Sequence, residues 1–201
     1  MDSGVARILR WVLVIFGVLL ILAIIILIFT KPSTKNTNTG STSTTGQADA
    51  PLNINDYKTT GTMRYVQVGN VTAPENHYMV VININNTSRT VEVYNGYATP
   101  PTSTKSYTNN QASYDAFIGA LQGAGFTNTK TADKGVAFNT FCTMGIRYNY
   151  QIVTGEQMPL NTWNSSCNAK SGTFAGSTGQ AQQLFINQIP DYNTVTSNVR
   201  L

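Results

Sequence analysis

Nineteen consecutive residues near the amino terminus, Trp11 to Phe29, carry no charged or strongly polar side chain. At 1.5 Å per residue such a run is about 28 Å long as a helix, against a hydrocarbon thickness of roughly 30 Å. Lipid offers the backbone no hydrogen bonds, so a segment crossing it must be helical. The sequence therefore predicts a transmembrane helix over 11–30, in contact with the lipid bilayer, and a cytoplasmic tail over 1–10. A cleaved signal peptide would have an apolar stretch of about 7–15 residues with small residues at the cut. Here the run is longer and ends in Phe29-Thr30-Lys31-Pro32. A pilin-like start would place an acidic residue early in the run, and none is present.

Flanking charge does not set the orientation. Arg7 and Arg10 lie on one side, Lys31 and Lys35 on the other, nearly a tie under the positive-inside rule. The composition downstream and the cysteine pair break the tie, placing the carboxy-terminal part outside. Residues 31–56 are dominated by Ser, Thr, Asn and Gly, with no apolar period, and read as a flexible linker. The remaining residues, 57–201, suffice for one domain with its own core. Charged residues are only 11% of the chain, well below the usual quarter. Amides and hydroxyls supply the polarity, as suits an exported domain. From Lys31 onward 11 basic and 8 acidic side chains leave about +3. The basic residues are scattered and form no stripe, so a nucleic-acid partner is not expected.

Within 57–201, Met63–Val68 alternates as a strand, and residues 77–95 read as a β-hairpin turning at Asn85-Asn86. Tyr114, Phe117, Ile118 and Leu121 make one helical stripe. Asn110 or Ser113 can cap its start, and Gly123 or Gly125 its end. Phe126 onward reads as extended. Met144–Val153 alternates again, with Ile146, Tyr148, Tyr150 and Ile152 on one face. With Thr154-Gly155 as a two-residue turn, paired numbers sum to 309 and Cys142 faces Cys167. That places the cysteines at a non-hydrogen-bonded position, within disulfide reach, and Trp163 opposite Ile146, in the core. Ser177-Thr-Gly-Gln180 is a capping-box pattern opening a last helix. Ala181, Leu184, Phe185 and Ile189 form its buried face, and Pro190 stops it. The order is not a βαβ alternation, so the expected class is α+β, a mainly antiparallel sheet with two helices.

Chemistry-bearing residues are few. Cys142 and Cys167 are the only cysteines, too few for a zinc site. They read as a structural disulfide, which implies an oxidising compartment. His77 is the only histidine; no triad assembles around it, and it reads as a surface residue at a strand start. The carboxylates show no calcium loop and no acid–base pair. No cofactor or metal motif is found. Ten tyrosines fit ordinary secreted β-structure, and Tyr94, Tyr97 and Tyr107 are the candidate surface-binding aromatics. Asn70, Asn85, Asn86 and Asn164 begin N-x-[ST] triplets, which matter only in a host that glycosylates them.

The carboxy-terminal part resembles small anchored surface proteins of Saccharibacteria and related reduced-genome bacteria. The resemblance is carried by Arg89-Thr90-Val91, Tyr94-Asn95-Gly96-Tyr97, Gln111–Phe117 and Gly125-Phe126. It continues through Cys142, Gly145, Arg147-Tyr148, Trp163, Ser166-Cys167, Gly172-Thr173-Phe174 with Gly176, Leu184-Phe185 and Ile189–Tyr192. The resemblance implies a bacterial envelope location, at the surface an epibiont presents to its host, and transfers no catalytic residue. The expected function is a non-catalytic binding or structural module, for adhesion or complex assembly, meeting an envelope or host-surface partner. The second reading is an envelope enzyme or enzyme accessory acting on glycan or peptide.

Overall fold

A computed structural model describes residues 52–97, 100–168 and 170–200. The expected membrane helix and all but the last residues of the expected linker lie outside them. No helix among the described residues is long and apolar enough to cross a membrane.

The domain is α+β. Six strands, β1 (Thr62–Val68), β2 (Tyr78–Ile84), β3 (Ser88–Asn95), β4 (Ser103–Thr108), β5 (Arg147–Thr154) and β6 (Gln157–Ser165), form one antiparallel sheet in the order β4-β3-β2-β1-β5-β6. Two helices, α1 (Gln111–Gly123) and α2 (Thr178–Ile186), and a single turn, α3 (Tyr192–Val195), complete it. The β2–β3 hairpin turns where the sequence predicts. The Asn85 side-chain oxygen there accepts from the backbone N–H of Thr87 and Ser88 at 2.9 and 2.8 Å, a turn built by one amide.

Helix α1 starts at Asn110, whose side chain accepts from Ser113 N. It ends on Gly125, at φ +70°, with Phe126 N–H bonded to Leu121 O and Gly125 N–H to Gln122 O. That pair of bonds needs a left-handed residue, which glycine supplies without a Cβ clash. Tyr114, Phe117, Ile118 and Leu121 are all buried, as the helical stripe predicts. Helix α2 starts at Ser177, but no side-chain cap bond forms there, so the predicted capping box is not made.

The core lies between the helices and one face of the sheet. Met63 and Tyr65 of β1, Val80, Ile82 and Ile84 of β2, Tyr150 and Ile152 of β5, and Phe126 and Phe185 from the helical layer meet there. Tyr65 stacks on Phe185 at 5.4 Å and tilts against Tyr150 at 5.5 Å. Ile54 belongs to this core and Leu52 packs against it, so the folded domain begins before residue 57. Two apolar residues in a polar stretch are too short a signal to show a period.

Three further expectations are corrected. Residues 127–146 form no strand beyond the bridge Thr129–Phe174. Strands β5 and β6 pair with numbers summing to 312 (Arg147–Ser165, Tyr150–Thr162), because the turn is at Gly155-Glu156 and an irregularity sits between Ile152 and Thr154. Trp163 therefore faces Asn149 rather than Ile146. It is buried, but on the sheet face opposite the main core, against Phe138 at 5.8 Å and Phe141 at 6.2 Å.

Candidate functional site

Antiparallel register gathers a set of polar residues from five strands onto one face. Side chains directly opposite one another share a face. One cross-strand row reads Tyr94–Met79–Val68–Arg147–Ser165. The next reads Glu92–Val81–Val66–Asn149–Trp163. The third reads Thr90–Asn83–Arg64–Gln151–Asn161. The core packs against the other face, so these rows form the open face, although its β5–β6 end is covered: Arg147, Asn149, Trp163 and Ser165 are all buried. Val81 is fully buried even here.

The polar groups are incompletely paired. Asn149 Nδ2 donates to Asn161 Oδ1 at 2.8 Å, and Gln151 Nε2 reaches the same oxygen at 3.4 Å. The carbonyl oxygens of Asn149 and Gln151, and Nε of Arg64 and Arg147, are buried without partners. The only ion pair among the described residues is Lys105–Asp191, so neither arginine is matched by a carboxylate there. Glu92 accepts from the Tyr94 hydroxyl at 2.7 Å. Burial, then that bond, pushes the Tyr94 phenol up to about 12.

One end of this face is rigid and aromatic. Arg147 Nη2 donates to Gly69 O at 3.0 Å beneath the Phe138 ring, and burial lowers the guanidinium's pKa from its ordinary value. His77 is not a surface residue: it is 4% exposed, donates from Nδ1 to Asn70 O at 2.8 Å and stacks on Tyr97. Its apolar and polar neighbours are distant in sequence, which is why a lone histidine at a strand start gave no sign of burial. The Cys142–Cys167 disulfide closes the same end, with Cα atoms 5.7 Å apart. Cys142 precedes β5 and has φ +57°; the chain turns there, with Gly145 N–H bonded to Cys142 O, which brings the sulfurs together without the predicted register. Val71 N–H donates to Thr143 O at 2.7 Å, setting Val71 beside the disulfide loop. Val71, Met144 and Tyr97 are 46%, 80% and 57% exposed, three of the four exposed large hydrophobics among the described residues.

The three candidate tyrosines do not converge. Tyr94 is on the open face, and Tyr97 is at its aromatic end. Tyr107 lies on the helical side of edge strand β4, where its hydroxyl and the Lys105 ammonium both bind the Asp191 carboxylate. Lys105, then Tyr107, holds that carboxyl below its ordinary pKa. Arg64, Asn149, Gln151 and Asn161 were not singled out by sequence. Their signal was present in the phase opposite to the apolar one in β1, β5 and β6, and emerges only once the register is known. Asn164, one of the four glycosylation triplets, is fully buried. Comparison with known proteins finds no family model that matches the chain and no similar curated protein.

Proposed function

We propose that the chain is a membrane-anchored module of the bacterial cell envelope whose extracytoplasmic domain binds a partner, for adhesion or complex assembly. The observation that carries this reading is the one-sided sheet. Helices cover one face, and the other keeps rows of arginine, carboxamide and carboxylate side chains running to an exposed strip of Val71, Tyr97 and Met144. Exposed apolar groups rimmed by polar ones suit an interaction site. The apolar run at 11–29 supports anchoring, and the disulfide supports export to an oxidising compartment. The resemblance to anchored surface proteins of reduced-genome bacteria adds the same location.

Proximity labelling on living cells, from an enzyme fused after Leu201, tests it. Envelope and surface neighbours are expected, together with loss of the domain when protease is added to intact cells. A purely cytoplasmic set of neighbours rejects the proposal.

A further inference from the structure

We infer that the Cys142–Cys167 bond is a redox latch on the binding surface. Oxidised, it straps residues 127–146 over the β5–β6 end of the open face and assembles the strip of Val71, Tyr97 and Met144. Reduced by an external dithiol, it frees the strap and disperses the strip while the core stays folded. This rests on the binding reading above and names its regulation.

Between Phe126 and Arg147 the chain has no helix, no strand beyond the Thr129 bridge, and not one buried residue. Yet it buries others. Trp163 and Arg147 are 7% and 5% exposed, with Phe138 and Phe141 against the indole and Phe138 against the guanidinium. The start of the strap is tied down by Lys130 N–H to Thr173 O and Asp133 N–H to Ser171 O. From Lys134 to Phe141, every hydrogen bond among the described residues stays inside the strap: Val136 N–H to Asp133 O, and Thr140 and Phe141 N–H to Ala137 O. The disulfide is what returns it to the domain. A segment with few buried contacts and few bonds to the body opens at low free energy. The core residues, Tyr65, Ile82 and Phe185 among them, include none from the strap, so its release leaves them packed.

The same bond builds the strip. Met144 is two residues from Cys142, and Thr143 O between them accepts from Val71 N–H. Tyr97 bonds the backbone of Thr72, next to Val71. Once the strap is free, Met144 leaves with it, while Val71 and Tyr97 stay with β1 and β3.

Cys167 is exposed, and exposed disulfides are the ones that exchange. One thiolate of the dithiol attacks a sulfur of the bond, which breaks to give a mixed disulfide and a cysteine thiolate. The second thiolate of the dithiol then displaces the other cysteine. The chain gains two electrons and two protons, and the dithiol becomes a disulfide.

The test compares the oxidised full-length chain in detergent micelles with chain reduced by dithiothreitol, alkylated with iodoacetamide and freed of reductant. A Trp11→Phe background leaves Trp163 as the only tryptophan. Reduction should speed tryptic cleavage after Lys134 at least about tenfold and raise acrylamide quenching of Trp163 fluorescence. Amides of β1 and β2 should stay equally protected from hydrogen exchange. Cys142→Ser with Cys167→Ser should show the open state with or without dithiothreitol. Retention on isolated envelope fragments should fall in both open forms. Unchanged cleavage and quenching in fully alkylated chain overturns the inference. So does loss of β1 and β2 protection along with the strap, which would make the bond a staple of the whole domain. Opening without loss of retention also overturns it and leaves the binding reading standing. No retention of the oxidised chain rejects that reading, and its regulation with it.

Discussion

Tyr97 lies flat against His77, ring centroids 4.0 Å apart and planes 8° from parallel. Its hydroxyl donates to Thr72 O at 2.8 Å and accepts from Thr72 N–H at 3.0 Å. One side chain therefore ties the end of β3 to the loop after β1. Tyr97→Phe keeps the stack and removes both hydroxyl bonds. It should cost about 1 kcal/mol, whereas Tyr97→Ala, which also loses the stack, should cost about 2 kcal/mol. Urea denaturation monitored by circular dichroism measures both, and equal losses would mean the stack contributes nothing.

The disulfide should be open to reductant. Cys167 is exposed and Cys142 half-buried, and the bond joins residues 25 apart. In the chain-entropy account a loop of this size is worth about 3 kcal/mol. Cys142→Ser with Cys167→Ser should lower stability by that amount, and dithiothreitol should add nothing further. Mass analysis of exported protein without reductant should show both thiols blocked; two free thiols would refute the pairing.

Legibility in the sequence depends on which signal each element carries. β1, the β2–β3 hairpin and α1 are readable because apolar periodicity and turn chemistry agree locally. Edge strand β4, Ser103–Thr108, gives no strand signal. Its STKSYT sequence has no aliphatic residue, and β3 is its only strand neighbour. Cys142 and Cys167 do pair, but not through the register that predicts it. That count needs a turn at Thr154-Gly155 and an unbroken hairpin; the turn at Gly155-Glu156 and the irregularity between Ile152 and Thr154 together shift the pairs from Arg147 to Ile152 by three. The open face is invisible for a related reason. Arg64, Asn149 and Asn161 belong to three strands, and which polar residues become neighbours is decided by strand order, which no local pattern encodes.

Gly172 marks where the β6 edge is covered. Phe174 N–H donates to Trp163 O at 3.0 Å, and Trp163 N–H donates to Thr173 Oγ1 at 3.1 Å. A Cβ on Gly172 would sit 1.9 Å from Trp163 O, against the backbone of Trp163 and Asn164 with no flexible tip to yield. Gly172→Ala should therefore separate this segment from β6 and cost about 3 kcal/mol. Gly179→Ala, where a Cβ meets nothing, should be neutral or slightly stabilising, since alanine is the better helix former. Paired denaturation curves check the contrast; similar midpoints for the two variants would show that the segment is not packed as described.

The last prediction concerns alkali. Tyr65, Tyr114 and Tyr150 are fully buried, and burial is the leading cause that raises each phenol's pKa above its ordinary value. Neighbouring Tyr150, Tyr192 and Tyr148 raise Tyr65 further, and burial pushes Tyr192 up to about 12. In the unfolded chain these phenols ionise near their ordinary value of about 10. Below that pH both states keep the proton and the contribution to stability is complete. Above it the unfolded state loses protons that the folded state retains, so stability falls as pH rises toward the folded pKa values. Absorbance at 295 nm follows phenol ionisation directly. The buried phenols should then ionise in one cooperative step above about pH 11, coincident with loss of far-ultraviolet circular dichroism. A single titration of all ten tyrosines near their ordinary value, with the circular dichroism intact, would contradict the packing of Tyr65 between Tyr150 and Phe185.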